Sequence, residues 1–220
     1  MSPTFTSFEV RNYRIWFAGA LVSNIGTWMG RVGQDWLVLT VLTAGSATAL
    51  GVVTGLQFLP FLLLAPWAGL IADRFPKRRT LLLTQSMLAV SSLLLGVLAV
   101  TGLAELWHVY LIALLQGITT AIDNPTRQAF VSEMVPSDKL ANAVSLNSAS
   151  FNLGRLIGPG VAGLVIAAWG TGQALLLNTV TFVFVIVALL MLRAHELVPA
   201  SIAAAPVNIN LAGPEELETL

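Results

Sequence analysis

Long apolar runs separated by short polar connectors dominate the pattern of the chain. Leucine, alanine, valine and glycine fill these runs, which are too long for β-strands. A helix needs roughly 20 apolar residues to cross a bilayer, and lipid accepts only helices or closed barrels. A barrel would show short alternating segments instead. The pattern therefore predicts an all-α membrane protein with six transmembrane helices, in residues 15–42, 49–72, 80–100, 106–122, 140–168 and 174–192, and one long connector, 123–139.

Polar residues recur at helical spacing within four of these runs. Arg31 and Asp35 are four residues apart and so share one helix face. A charge at the membrane centre costs roughly 2.5–3.5 kcal/mol on insertion scales, so it normally faces a cavity or a partner. The alternative is structural, with Arg31 and Asp35 neutralising each other and Arg155 capped by backbone carbonyls. We favour a water-filled path between helices one, two, four and five, lined by Asn24, Arg31, Asp35, Gln57, Gln116, Asn152 and Arg155.

Composition supports a membrane protein. Hydrophobic residues make up 56% of the 220 residues and charged residues 10%, whereas a soluble domain carries roughly 25% charged residues. An ordinary soluble enzyme and a disordered chain are both excluded on this ground. The formal net charge of zero does not indicate a nucleic-acid partner, and the chain has no cysteine for disulfides or thiolate sites. No motif predicts a catalytic, metal or cofactor site, so we expect neither enzyme activity nor a cofactor.

The basic residues predict the orientation in the membrane. Of eleven, Arg31 and Arg155 lie inside helices, and the other nine all fall on one side. The opposite loops, 43–48, 101–105 and 169–173, contain none. The positive-inside rule then places both termini in the cytoplasm of a multi-pass protein, for which we expect the bacterial inner membrane.

The end of the chain has a different composition. Residues 1–198 form the predicted membrane domain, whereas proline and Glu215, Glu216 and Glu218 characterise residues 199–220. We predict a largely disordered cytoplasmic tail there. Its last residues resemble the opening of a helix-hairpin-helix DNA-binding module, but they lack the glycine hairpin and any basic residue. A fusion or truncated end is the favoured interpretation, without nucleic-acid binding.

A compact motif connects the second and third helices. Gly69 precedes Asp73 by one helical turn, and Arg74, Lys77, Arg78 and Arg79 follow. The glycine lets a helix end approach a neighbour closely, and the aspartate can bind a helix N-terminus. A plain cytoplasmic loop would account for the basic residues but not for Gly69 and Asp73 at this spacing.

The fifth helix carries a second motif. Gly154, Gly158 and Gly163 provide small residues that allow close helix packing. Pro159, which directly follows Gly158, can bend the helix at that point. Packing alone is one explanation, and an exporter-specific role is the other.

The two motifs resemble those of the major facilitator superfamily of transporters, and strings beginning at Asp123 and Asn142 are similar to its enterobactin-exporter branch. The resemblance implies one half of that fold, six helices arranged as a 3+3 inverted repeat. It implies that the loop latches two halves in the outward-facing state, with Asp73 facing a helix terminus of the second half and Arg74 paired with Asp123. The latch residues are then Gly69, Asp73, Arg74, Arg78, Arg79 and Asp123.

The function implied is proton-coupled export of small amphipathic compounds of the siderophore or drug type. Such transporters use about twelve helices, so the chain would need its missing carboxyl-terminal half or a second copy as a partner, besides lipid, protons and solute. We expect Asp35 to carry the proton and Arg155 to favour anionic solutes. The alternative is a non-transporting membrane scaffold or an inactive truncated fragment.

Overall fold

A computed structural model describes residues 3–197, and within that range the chain is almost entirely helical. The predicted tail, 199–220, lies outside the described residues. Short 3-10 segments, Pro3–Glu9 and Ala194–Glu196, flank the long helices. The long helices are α1 (Arg11–Trp36, continued by the π-helical turn Leu37–Leu42), α2 (Ala47–Arg74), α3 (Lys77–Thr101), α4 (Leu106–Met134), α5 (Ser137–Trp169) and α6 (Thr171–Met191).

Local chemistry accounts for where the helices begin and end. The Ser46 hydroxyl accepts from the Ala49 amide at the start of α2. At the start of α4, Glu105 and the His108 side chain form a reciprocal capping box, which gives this histidine a structural task. Gly102 ends α3 in the left-handed region, at a φ of 72°, where glycine is free of side-chain strain.

Five of the described helices, α2 to α6, are long and apolar enough to cross a membrane. Helix α1 is the exception, because polar and charged residues such as Asn24, Arg31 and Asp35 interrupt its apolar sequence. An all-helical membrane protein is thereby confirmed, while the crossing by α1 stays a prediction.

The predicted connector 123–139 is wrong. Helix α4 continues through Asp123 to Met134, and α5 begins at Ser137. One face of this helical segment is buried, through Thr126, Phe130 and Met134. That spacing of four and four is helical, so the segment extends the bundle beyond the apolar run.

The bundle is organised around α1 and α4. Helix α1 packs against α5 and α6, α4 packs against α2 and α3, and α3 contacts α6. Close approach depends on glycine, since a Cβ at Gly30 would lie 2.3 Å from the Asn178 amide nitrogen. The outer faces of α2 and α5 remain bare, with Leu62 and Leu156 73% and 78% exposed.

The segment before α1 is fastened to the start of α5. Ser7 is buried. Its backbone amide donates to the side-chain oxygen of Asn142 (Oδ1, 3.1 Å), and its hydroxyl donates to the backbone carbonyl of Lys139 (3.1 Å). Glu9 pairs with the Lys139 ammonium. Nearby, the Asn12 amide exchanges two hydrogen bonds of 3.1 Å with the Arg193 backbone, so the start of α1 lies beside the end of α6.

Candidate functional site

Two arginines and two phenylalanines from α1, α2 and α5 gather beside the Trp28 indole. The Arg31 Cζ lies 5.0 Å from the Trp28 ring centroid and 5.1 Å from that of Phe58. The Arg155 Cζ lies 5.8 Å from the Trp28 centroid, and Phe151 packs edge-on against the same ring at 5.9 Å. We call these five residues the Trp28 cluster. Cation–π attraction holds both guanidinium groups there.

The Trp28 cluster is open to ligands. Phe58, Phe151 and Arg155 are exposed, and Trp28 and Arg31 are half-buried. Neither guanidinium makes a hydrogen bond or ion pair to another described residue. Their donors are therefore available to an anionic group, and the exposed aromatic faces are available to a planar one.

Asp35 stands apart from the cluster. It is half-buried and forms no hydrogen bond or ion pair with any described residue. Arg31 stacks on Trp28 and Phe58 and does not contact Asp35 within 4.0 Å, so the two side chains form no direct ion pair.

The two glutamines of the predicted path line an internal cavity together with Arg31. Gln57 projects from α2 and Gln116 from α4, and the cavity has a volume of about 50 Å³. Gly117 also lines it, and a Cβ there would lie 2.6 Å from the Leu56 carbonyl oxygen. The glycine thus allows α4 to lie against the backbone of α2 beside Gln57.

The two asparagines of the predicted path are placed differently. Asn24 is buried between α1 and α5, where its amide donates to the Ser150 hydroxyl at 3.0 Å, so it does not lie on the expected cavity wall. Asn152 is exposed and borders a groove of about 490 Å³ between α4 and α5. Arg127 and Asn147 border the same groove, together with the apolar side chains of Val131, Val144 and Phe151.

The helix-five motif is divided between two environments. A Cβ at Gly154 would lie 2.8 Å from the Asn24 carbonyl carbon, and one at Gly158 would lie 2.5 Å from the Trp28 Cβ. Both glycines therefore allow α1 and α5 to touch at the backbone. Gly163 has nothing within 4 Å, and Pro159 is exposed.

Two basic residues of the loop motif make contacts within the bundle. The Lys77 ammonium pairs with the Glu133 carboxylate at 2.9 Å, where both are largely buried. Arg78 donates to the backbone carbonyls of Leu189 (2.8 Å) and Leu190 (3.1 Å) at the end of α6, where a cation is favoured by the helix dipole. These two residues join α3 to α4 and α6.

Other residues of the loop motif have no such task. Asp73, Arg74 and Arg79 are exposed and have no hydrogen bond or ion pair from their side chains to described residues. Gly69 has nothing within 4 Å of a Cβ position. The motif therefore presents an acid, two bases and an open glycine at one surface.

Asp123 belongs to an internal network. It is 3% exposed and accepts from the Thr84 hydroxyl (2.6 Å), the Gln85 amide (2.7 Å) and the Arg127 guanidinium (3.1 Å). The pairing with Arg74 expected from the resemblance is not present in this structure. Arg127 takes that place because it follows Asp123 by four residues on the same helix face.

Comparison with known proteins decides the family. A family model described as "Transmembrane secretion effector" matches residues 2–205. The chain belongs to this family. The relationship confirms the resemblance to the major facilitator superfamily.

Several relatives of this transmembrane secretion effector chain are transporters by name. The chain is similar to the staphyloferrin A transporter of Staphylococcus aureus, with 34% identity over 77% of the chain and 42% of the relative. It is 30% identical to the multidrug efflux pump Tap of Mycolicibacterium fortuitum, over 79% of the chain and 43% of the pump. It is 24% identical to macrolide efflux protein A of Streptococcus pyogenes, over 75% and 40%. The chain spans about two fifths of the length of these relatives.

Sequence reasoning about this family member missed the aromatic part of the site. Trp28 precedes Arg31 by three residues and Phe151 precedes Arg155 by four, so helical spacing alone could have paired each ring with its arginine. Within residues 3–197 no group of three or more histidine or acidic side chains could hold a metal ion. The site's chemistry is thus that of guanidinium, amide, carboxylate and aromatic groups.

Proposed function

We propose that the chain is the amino-terminal half of a proton-coupled exporter of small amphipathic compounds, and that it works with a second half. The Trp28 cluster carries this proposal, because it offers two unpaired guanidinium groups beside exposed aromatic rings. A planar or apolar solute with an anionic group matches that surface. The transporter names of the relatives support the same class of activity.

The topology we propose is six crossings with both termini in the cytoplasm of a bacterial inner membrane. The contact between Asn12 and Arg193 supports an even number of crossings, since it joins the two ends of the bundle. Reporter fusions at Gly45, Gly102 and Gly170 test it, and each should report the outside. A cytoplasmic signal from any one of them would contradict the proposal.

We also propose that the six helices form a 3+3 inverted repeat. In such a repeat, α1 corresponds to α4, α2 to α5 and α3 to α6. The α1–α5 contact then corresponds to the α4–α2 contact, and the α1–α6 contact corresponds to the α4–α3 contact. The α3–α6 contact corresponds to itself. This correspondence of helix contacts supports the proposed repeat.

Gly69, Asp73, Arg74 and Arg79 form the proposed latch to the second half. Their exposure and lack of partners support this role, as does the use of Lys77 and Arg78 within the half. Asp123 acts indirectly in this proposal, by fixing Arg127 and the cytoplasmic part of α4. Asp35 is the proposed proton carrier, because it is an unpaired carboxylate one turn from Arg31.

Solute binding by the purified chain tests the proposed site directly. A planar naphthalene sulfonate should quench tryptophan fluorescence more strongly than its uncharged sulfonamide. Arg155→Gln should weaken sulfonate binding about 10–100-fold, the range of a hydrogen bond to a charged group. It should leave sulfonamide binding within about threefold. Arg14→Gln, at an exposed arginine outside the cluster, is the matched control.

Equal losses for the two solutes would assign Arg155 a structural role and refute the anion preference. Transport is tested in vesicles that contain the chain together with its second half, where an imposed proton gradient should drive solute uphill. The chain alone should not do so unless two copies assemble. Failure of uphill transport by the assembled protein would favour a scaffold over an exporter.

A further inference from the structure

The groove between α4 and α5 adjoins the Trp28 cluster and differs from it in chemistry. Helix α4 packs mainly on α2, and α5 packs mainly on α1, so the two helices leave an open space between them. Its volume of about 490 Å³ falls within the range of about 300–1,000 Å³ that is usual for small-molecule sites. Phe151 belongs to both places, because it lines the groove and its ring centroid lies 5.9 Å from that of Trp28. A ligand bound beside Trp28 can therefore extend past Phe151 into the groove.

Three carboxamides of the groove are accessible and lack partners. Gln128 is exposed, and Asn124 and Asn147 are half-buried. None of the three makes a side-chain hydrogen bond to another residue in the described part of the chain. A fourth, Asn152, is exposed and donates from its Nδ2 to the Ser148 backbone carbonyl at 2.9 Å. Each carboxamide combines an NH₂ donor with an oxygen acceptor, so the groove offers both kinds of group to one ligand.

The positive charge on the groove wall is already compensated. Among the residues that line the groove, only Arg127 is charged. Its Nε and Nη2 donate to the Asp123 carboxylate at 3.2 and 3.1 Å, and its Cζ lies 5.5 Å from the Trp16 ring centroid. The groove therefore suits an uncharged polar group, whereas the unpaired guanidinium groups of the Trp28 cluster attract an anionic one.

We propose that this groove binds an uncharged, hydroxyl-rich arm of the exported solute, while the Trp28 cluster binds the aromatic and anionic part. The inference rests on the proposed function and narrows the solute to an amphipathic anion that carries a sugar or similar polyol. A hydroxyl group both donates and accepts, so hydroxyls of one ring can pair with several carboxamides. Apolar surface for the C–H faces of such a ring comes from Val131, Val144 and Phe151.

Three probes that share one naphthalene sulfonate test the inference on the unaltered chain. The first has no arm, the second carries glucose on a short flexible linker, and the third carries tetrahydropyran, the same ring without hydroxyls, on the same linker. Quenching of tryptophan fluorescence measures their affinities in a detergent that has no sugar headgroup. The glucose probe should bind about 10-fold more tightly than the tetrahydropyran probe, as expected from two neutral hydrogen bonds.

Variants of the groove then locate the arm. Asn147→Leu and Gln128→Met each remove one carboxamide at nearly constant volume. Each should reduce the advantage of the glucose probe about threefold, the effect of one neutral hydrogen bond, and leave the affinity of the armless probe within about twofold. Gln173→Met, at an exposed position of α6 outside the groove, is the matched control and should keep the full advantage.

The outcomes separate this inference from the proposed function. Equal affinities of the two armed probes, with normal binding of the armless probe, would overturn the inference and leave the proposed solute site standing. Absence of binding by the armless probe would refute the Trp28 cluster as a solute site and the inference with it. A glucose advantage that survives both Asn147→Leu and Gln128→Met would place the arm elsewhere and overturn the assignment of the groove.

Discussion

Gly158 offers a sharp test of how α1 and α5 are held together. Replacing it by a larger residue would place a Cβ 2.5 Å from the Trp28 Cβ and 2.9 Å from the Ile25 carbonyl oxygen. Carbon atoms pack best at about 3.5–4.0 Å, so the two helices would have to separate by roughly 1 Å. Neither of these atoms is the far end of a flexible side chain, so rotation of a side chain cannot relieve the overlap.

The magnitude follows from two opposing effects. Overpacking costs about 1–3 kcal/mol, whereas alanine gains about 1 kcal/mol over glycine in helix propensity. We therefore expect Gly158→Ala to lower the free energy of unfolding by about 0–2 kcal/mol. Gly158→Leu should reach the upper end of the overpacking range, about 3 kcal/mol, because backbone atoms surround the site and the Met29 nitrogen lies 3.1 Å from the Cβ position.

Gly163 is the matched control on the same helix, because nothing lies within 4 Å of its Cβ position. Gly163→Ala and Gly163→Leu should raise the free energy of unfolding by up to about 1 kcal/mol, the gain in helix propensity over glycine, because no overpacking opposes it. Denaturant unfolding in detergent micelles, followed by tryptophan fluorescence, compares the four variants. Equal destabilisation by leucine at positions 158 and 163 would refute the packing argument.

Three further predictions concern charged groups. Asp35→Asn should abolish uphill export by the assembled transporter while leaving solute binding unchanged, and unchanged export would remove Asp35 from the coupling. Asp73→Asn should impair export without reducing the amount of inserted protein, because the carboxylate contributes up to ~2 kcal/mol at a partly buried helix N-terminus; normal efflux would exclude the latch role. The hydrogen bond with Lys139 lowers the pKa of Glu9, and that with Glu9 raises the pKa of Lys139. Their pairing should therefore persist at neutral pH and be lost as acid protonates Glu9 below its ordinary pKa, or as alkali deprotonates Lys139 above its own. The protection factor of the Ser7 amide in hydrogen exchange, which is corrected for the intrinsic pH dependence of exchange, should fall in acid, whereas in Glu9→Gln it should not change over the same pH range.

The helices could be predicted because lipid imposes a length and a composition on each one. Their ends could not, since the bundle extends beyond the apolar runs. Lys77 lies inside α3 and Asp123 inside α4, although polar residues of this kind also characterise loops. What keeps them helical is tertiary contact, the pair of Lys77 with Glu133 and the hydrogen bonds that Asp123 accepts from Thr84 and Gln85. Such contacts join helices far apart in sequence, so periodicity within one run does not reveal them.

The charged residues of the candidate site could be predicted from the sequence, but the residues that they contact could not. Arg31 and Arg155 are conspicuous in apolar runs, whereas Trp28 and Phe58 are ordinary members of them. Asn24 lies two helical turns from Arg31 and so on the same face of α1, yet it donates to Ser150 of α5. A helix face is wide enough to meet two neighbours, and only packing decides which neighbour each residue meets.

The loop between α2 and α3 illustrates how one motif combines folding and function. Lys77 pairs with Glu133, and Arg78 donates to the end of α6. Removing the charge of Lys77 would leave the largely buried Glu133 carboxylate without its partner. Asp73 and Arg74 make no such contact among the described residues, so the bundle keeps its shape whether or not they find a partner. Because Asp73 and Arg74 stabilise no contact within the described bundle, they can bind and release a second surface with little effect on the stability of this half. The latch we propose therefore depends on residues that the six-helix fold does not require.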